Sequence, residues 1–473
     1  MSMPSTALRV GEPLELEDFE LALSHARSHI YTRTEQVALA DLDGWYRDSY
    51  TGYWHHRSGR FFSIEGVRFR TDRGPISEWC QPIVNQPETG ILGLLISRRA
   101  GVTYCLMQLK AEPGNRGGIQ LSPTVQATRS NYTGVHGGSA VPYLEHFRDA
   151  PAARVLADVR QSEQGAWFLR KRNRNMIVLA DDLVPAQEGF VWLSTGQLLR
   201  LLSRPDLVNM DTRTVLSLLP MAAAALREGA DGLRAAESTM ENWEEALADA
   251  CAGGASRHSD RELRHWITDV RARTAAVTTA APMRALTGWR HGDGSIRHET
   301  RAFFEVIGVR VEAAGREVGQ WCQPMLATRE DGIVAFLVTR IGGVPHVLLQ
   351  LRTEPGLTDV AELAPTVQCT PGNYEFLPSA ARPPFLDDVL NAPSGAIRFD
   401  TTLSDEGGRF YRISNRHLIV ETGNAGEYPG FRWASVRQLI GLLRHSNYLN
   451  IQTRSLVACL YSLLATSAEG SRT

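Results

Sequence analysis

Apolar positions along the chain fall into two periods, and the periods change in the same order twice. FELALSHARSHI near the start and LRHWITDVRART after residue 262 carry apolar residues at helical spacing. RFFSIEGVRFRT, GILGLLISRR, VTYCLMQLKA and NMIVLA instead alternate or form short apolar runs, which predicts strands. LSTGQLLRLLSR returns to helical spacing, with Ser194 and Thr195 as candidate N-caps. Helix, mixed strands, then helix suits an α/β sandwich better than a bundle or an all-β fold.

The recurrence is also literal. Trp79-Cys80-Gln81-Pro82 returns as Trp321-Cys322-Gln323-Pro324, 242 positions on. The same shift carries Gln108-Leu109-Lys110 onto Gln350-Leu351-Arg352, Glu112-Pro113-Gly114 onto Glu354-Pro355-Gly356, and Pro123-Thr124-Val125-Gln126 onto Pro365-Thr366-Val367-Gln368. Asn131-Tyr132 maps to Asn373-Tyr374 and Asn173-Arg174 to Asn415-Arg416; Asn209, Thr212 and Arg213 meet Asn450, Thr453 and Arg454 one residue earlier. So many polar matches at one shift indicate an internal duplication. The pattern divides the chain into modules at 14–220 and 259–473, each with Gly-Trp (Gly44-Trp45, Gly288-Trp289) after its first helix. Between them, 221–258 is alanine- and glutamate-rich and is expected to be a helical connector.

Composition changes this picture little. Hydrophobic residues at 43% and charged residues at 22% are those of a folded protein, and a net charge of -2 offers no general pull toward nucleic acid or anionic lipid. Six cysteines without CxxC spacing suggest neither a zinc knuckle nor a redox pair. The N-terminal segment lacks the n- and h-regions of a signal peptide, and no apolar run approaches the ~20 residues of a membrane span. A cytoplasmic protein is expected.

Candidate chemistry lies where polar side chains interrupt the pattern. Strand alternation puts Gln108 and Lys110 on one face, with Glu112 in the turn that follows. LSPTVQATRSNYTGVHGG offers Thr124, Gln126, Arg129, Asn131, Tyr132, Thr133 and His136, a density of donors suited to a sugar or to a loop that satisfies itself. FLRKRNRNMIVLA places Lys171, Arg172, Asn173 and Arg174 before a strand, where guanidinium groups would grip a diphosphate or form a solvated charge run. Trp79 and Trp321 are expected in the core. GxGxxG, Walker A, GxSxG and HExxH sequences are absent.

LMQLKAEPGN, QLSPTVQATRSNYTGVH, LRKRNRNMIV, LVNMDTRTVLSLLP and ELAPTVQCTPGNY resemble the signature segments of the NDP-hexose 2,3-dehydratases. The resemblance implies two tandem Nudix-like α/β/α modules, a homodimer, and a dTDP-4-keto-6-deoxy-hexose as substrate. It implies loss of the C3 proton and the C2 hydroxyl, giving a labile 3,4-diketo-2,6-dideoxy sugar for a 3-ketoreductase to reduce next. The acidic helix of the parent Nudix hydrolases is missing from both modules, so no metal is expected, and the net reaction calls for no nicotinamide or other cofactor. On this reading Lys110 stabilises the enolate, Glu112 (or Glu163) is the base, and Tyr132 or His136 protonates the leaving hydroxyl. Gln108, Thr124, Gln126, Arg129, Asn131, Thr133, Arg172, Asn173 and Arg174 would bind sugar and diphosphate. The second module repeats the set only partly, as Gln350, Arg352, Thr366, Gln368, Asn373, Tyr374 and Arg416, and is expected to be vestigial. The competing expectations are a non-catalytic nucleotide-sugar binder and a metal-dependent diphosphatase.

Overall fold

The computed structural model describes residues 13–128, 140–228, 254–292, 294–316 and 318–469. It is a mixed α/β structure built on four sheets. The strand order of one large sheet is Val155–Ser162, Arg172–Leu179, Gly90–Arg99, Val102–Ala111, Phe190–Ser194. The other runs Ile397–Ser404, Ser414–Glu421, Gly332–Ile341, Val344–Arg352, Phe431–Ser435. In each sheet one pairing is parallel, 172–179 with 90–99 and 414–421 with 332–341, and its neighbours are antiparallel.

A fork in each large sheet matters most for the site. Gly90–Arg99 and Val102–Ala111 pair only through Leu95–Leu106 and beyond, then splay apart. Ile119–Ser122 joins the Val102–Ala111 arm and Val125–Ala127 joins the Gly90–Arg99 arm. Thr124 spans the fork: its hydroxyl donates to the Leu106 carbonyl at 2.5 Å and accepts from the Leu95 amide at 2.8 Å. Thr366 does the same between Leu348 and Leu337. The recurring Pro-Thr-Val-Gln is therefore a staple at its threonine, which corrects the ligand role expected of Thr124 and Thr366.

The two smaller sheets exchange strands. Tyr31–Val37, from the first half, pairs along Glu305–Ala314 of the second, from Tyr31 opposite Ala314 to Val37 opposite Gly308. Ala276–Ala280, from the second half, pairs along Ser63–Thr71 of the first. The sequence boundaries at 220 and 259 thus divide the chain but not its sheets. The Gly-Trp pairs lie in this exchange: the Trp45 indole donates to the Cys322 carbonyl at 2.7 Å, and Trp289 to that of Cys80 at 2.8 Å. A Cβ on Gly44 (φ +78°) would come 2.8 Å from the His56 ring, so the glycine is required both by conformation and by space.

Helices expected from periodicity form at Leu16–Ala26, Asp260–Arg273 and Thr195–Leu201; Ser194 caps the last and Ser259 caps Asp260–Arg273, each through a reciprocal capping box. Of the expected connector, the helix Leu219–Glu228 is described and 229–253 lies outside the described residues. One continuous core holds Leu94, Ile96, Met107 and Leu109 together with Val334, Phe336, Val347 and Leu349 from the other half. Each such side chain is worth roughly 1.5–3 kcal/mol when buried, so losing a handful would offset the ~5–15 kcal/mol of a typical domain. The halves stand or fall together.

Arg213 and Arg454, both fully buried, lock them. Arg213 donates to Ser455 Oγ at 2.7 Å and to the Val208 and Ser404 carbonyls at 2.6 Å. Arg454 answers with Thr214 Oγ1 and the Leu449 carbonyl at 2.6 Å, and with the Ser162 carbonyl. No helix among the described residues is long and apolar enough to cross a membrane.

Candidate functional site

Each fork opens into a cavity that the opposite half completes. The first, about 410 Å³, is lined by Lys110, Glu112, Gln126, Glu163, Lys171, Asn173 and Asp211 of the first half and by Arg316, Trp321, Glu406 and Arg409 of the second. The second, about 1160 Å³, is lined by Gln350, Arg352, Glu354, Gln368, Asn373 and Tyr374 with Arg73, Trp79 and Gln164 of the first half. Glu163 touches both. Trp79 and Trp321 are half-buried at these walls, not in the core as expected. Each indole donates to the glutamine two residues on, Gln81 at 2.9 Å and Gln323 at 3.0 Å, and so holds the rim rather than filling the interior.

The seam explains Glu-Pro-Gly. Backbone of the opposite half passes so close to Gly114 that a Cβ there would meet the Phe410 carbonyl oxygen at 1.7 Å. The Gly114 amide donates to the Gly407 carbonyl at 2.8 Å, and the Arg412 amide to Gly114 at 2.9 Å. Gly356 is clasped in the same way by Gly165 and Arg170. The glycine lets the far loop dock beside Glu112, which brings Glu406 and Arg409 into the first cavity.

Within that cavity the Lys110 ammonium lies 3.3 Å from the Gln126 carbonyl and 3.7 Å from Glu112 Oε1. The Gln126 amide donates to the same Glu112 oxygen at 3.1 Å, and Asn209 donates to Gln126 Oε1 at 3.1 Å. Arg316 stands 4.0 Å from Glu112, with its guanidinium over the Trp321 ring; Arg409 lies over Phe62 at 4.3 Å. Lys110 and Glu112 are both more than nine-tenths buried, where charge interacts strongly because water cannot screen it. Asn173 accepts from the Gly90 amide at 2.9 Å and donates to Glu163 at 2.7 Å.

Burial dominates the ionisation of this cluster. It pushes the Glu406 carboxyl up to about 7, helped by Glu112, and raises Glu163. Asp211 is raised well above the ordinary carboxyl range, first by burial and then by Glu163. Burial lowers Lys171 to about 8.

Other expected residues fall elsewhere. Arg172 and Arg174 project from the opposite face of their strand to Asn173, because side chains alternate. Arg174 is held bidentately by Asp158 at 2.8 and 2.6 Å, and Arg416 by Asp400 at 2.8 and 2.6 Å. None of Arg172, Arg174 and Arg416, expected to grip a diphosphate, lines either cavity. Gln108 shares the face of Lys110 but lies two residues earlier on the strand, opposite Ser122 and half-buried, and does not line the cavity. Arg129, Asn131, Tyr132, Thr133 and His136 lie outside the described residues. Sequence reasoning did not single out Asp211, Glu406, Arg409 or Arg316. A signal for two existed: within matched segments Asp211 faces Gln452 and Gln164 faces Glu406, charge changes in otherwise parallel motifs. Among the described residues no group of three or more His, Cys, Asp or Glu side chains is arranged to hold a metal ion.

Comparison with known proteins identifies the family. The family model described as NDP-hexose 2,3-dehydratase matches the chain twice, over residues 16–219 and 260–460. A dTDP-4-dehydro-6-deoxy-alpha-D-glucopyranose 2,3-dehydratase of Saccharopolyspora spinosa is 46% identical over 435 residues, covering 91% of this chain and 88% of that protein. Proteins of the same name from Amycolatopsis orientalis and Streptomyces violaceoruber are 41% and 45% identical, covering 99% and 92% of this chain and 94% of each relative. The chain belongs to the NDP-hexose 2,3-dehydratase family.

Proposed function

We propose that the chain dehydrates dTDP-4-keto-6-deoxy-D-glucose in the first cavity, removing the C3 proton and the C2 hydroxyl to give a dTDP-3,4-diketo-2,6-dideoxy-hexose. The observation that carries this reading is the pair Lys110 and Glu112, buried 3.7 Å apart in a cavity that both halves close. In a 4-keto sugar the acidic C–H and the carbonyl lie on neighbouring carbons. A base and a cation a few ångströms apart therefore match the two atoms that change charge. Glu112, steadied by Gln126, takes the C3 proton; Lys110 faces the C4 oxygen as the enolate forms. Arg316 and Arg409, rather than Arg172 and Arg174, take the diphosphate, since these two guanidinium groups line the cavity.

Each half is read as a Nudix-like α/β/α sandwich of an internal duplication, with only the first cavity at work. In the second, Arg352 Nε is tied to Glu354 at 2.7 Å and its Nη1 to the Gln368 carbonyl at 2.9 Å, which leaves the cation committed. A 3-ketoreductase is the natural consumer of the diketone. The test is to incubate the protein with dTDP-4-keto-6-deoxy-D-glucose without added metal or nucleotide cofactor and to follow mass. Loss of one water is expected. Release of dTMP, or an unchanged sugar, would replace this reading with a diphosphatase or a binder.

A further inference from the structure

We propose that Asp211 is the acid that protonates the departing C2 hydroxyl, an assignment that rests on the dehydratase reading above. Asp211 is the second residue of the Met210–Leu216 helix, whose start is fixed by Asn209. The Asn209 side chain accepts from the Thr212 amide at 2.8 Å and donates to Ser122 Oγ at 2.9 Å and to Gln126 Oε1 at 3.1 Å. Thr212 turns to the Leu121 carbonyl and Arg213 to the other half, while Asp211 lines the cavity that holds Lys110 and Glu112.

Asp211 is only 4% exposed, and its Oδ1 is shut off from solvent with no hydrogen-bond partner among the described residues. An ionised carboxylate in that position would leave a buried charged oxygen without a donor, which is costly; the neutral acid avoids this. Its surroundings act in the same direction. Glu112 faces it from the strand turn, Glu163 from the segment after Val155–Ser162, and Glu406 from the other half; against them stand Lys110, Arg213 and Arg454. Burial first, then these carboxylates, raise the Asp211 carboxyl well above its usual range and so favour the protonated acid, while Glu112, bonded to Gln126 beside Lys110, is placed as the base. The matching residue of the second half is Gln452, whose amide donates to Asp405 at 3.2 Å and has no acidic proton to give.

The step balances. Glu112 takes the C3 proton and the electron pair moves to the C4 oxygen. As the C4 carbonyl re-forms, the C2–C3 double bond forms and the C2–O bond breaks; the Asp211 proton goes to that oxygen and water leaves. The 3-enol then returns its O–H proton to the Asp211 carboxylate while protonated Glu112 delivers a proton to C2. Both side chains end as they began.

The experiment compares two substrates, the natural 4-keto-6-deoxy nucleotide sugar and its 2-deoxy-2-fluoro counterpart, whose fluoride leaves without being protonated. In Asp211→Asn, kcat for loss of the hydroxyl should fall about 10²–10⁴-fold with KM little changed, while fluoride release stays within about tenfold of the unaltered protein. Normal dehydration by Asp211→Asn, or equal losses on both substrates, would overturn the assignment. Should the variant not fold, the unaltered protein decides. Its rate on the hydroxyl substrate should fall as pH rises through the Asp211 titration, and its rate on the fluoro substrate should not; identical alkaline limbs would overturn the proposal. An unaltered protein that eliminates neither group refutes the dehydratase reading itself, a distinct outcome.

Discussion

In the first cavity Lys110 reaches Glu112 at 3.7 Å and the Gln126 carbonyl at 3.3 Å; in the second, Arg352 holds Glu354 at 2.7 Å and the Gln368 carbonyl at 2.9 Å. At matched positions, Lys171 of the first half corresponds to Ile413, Asp211 to Gln452, and Glu406 of the second half to Gln164. The frame around these positions is the same: a threonine across the fork, a glycine at the seam, an asparagine cap and a buried arginine that crosses to the other half. Both halves carry the residues that position backbone and a cation beside a carboxylate, while Lys171, Asp211 and Glu406 of the first cavity correspond to uncharged residues of the other half. The differences, a lysine in place of a committed arginine and three further ionisable side chains, are what set the first cavity apart.

The largest expected effect separates the cavities at their carboxylates. Glu112→Gln should lower kcat by about 10²–10⁴-fold, while Glu354→Gln should leave it within a few-fold; steady-state kinetics on the paired variants measures both. Similar losses would mean that the second cavity also works.

Next, Arg213→Met and Arg454→Met should cost the same stability in urea denaturation, because each strips three hydrogen-bond acceptors spread over both halves. With ~1 kcal/mol or more for each buried acceptor left unpaired, about 3 kcal/mol is expected for either. A marked inequality would show that the frame is not shared evenly.

A smaller effect concerns pH. Burial holds Glu406 protonated up to about 7, above its unfolded value near 4.5. Its contribution is thus fully present below the unfolded value and is lost as pH rises toward 7. Glu406→Gln, which copies Gln164 of the other cavity, should gain stability relative to the unaltered protein across that window and level off above it. A difference that is flat with pH would contradict the buried, neutral state of Glu406.

Much of this was legible in the sequence. The repeat, the helices, the Ser194 cap and the alternation that puts Lys110 at a strand end all follow from sequence pattern. Period-two reasoning also contains the reason Arg174 misses the cavity, since it must face away from Asn173, yet a run of basic residues read as one patch hides that. What could not be read was long-range. Nothing local says that Tyr31–Val37 pairs with Glu305–Ala314, and so nothing says that Glu406 and Arg409 complete a cavity whose floor lies in the other half. The glycine of Glu-Pro-Gly looked like turn chemistry and is needed instead for a backbone that arrives from nearly three hundred residues away. Trp79 and Trp321 fit a core by composition; their half-exposure depends on the same unreadable seam.

Whether the first cavity alone does the chemistry is decided by the rate of water loss from dTDP-4-keto-6-deoxy-D-glucose, measured for Lys110→Met and Arg352→Met side by side. Removing one charge that stabilises a developing oxyanion costs about 10²–10³-fold or more, so Lys110→Met should be nearly silent while folding normally, and Arg352→Met should turn over like the unaltered protein. A folded Lys110→Met that still sheds water at close to the normal rate, or an Arg352→Met that fails equally, would contradict a single working cavity.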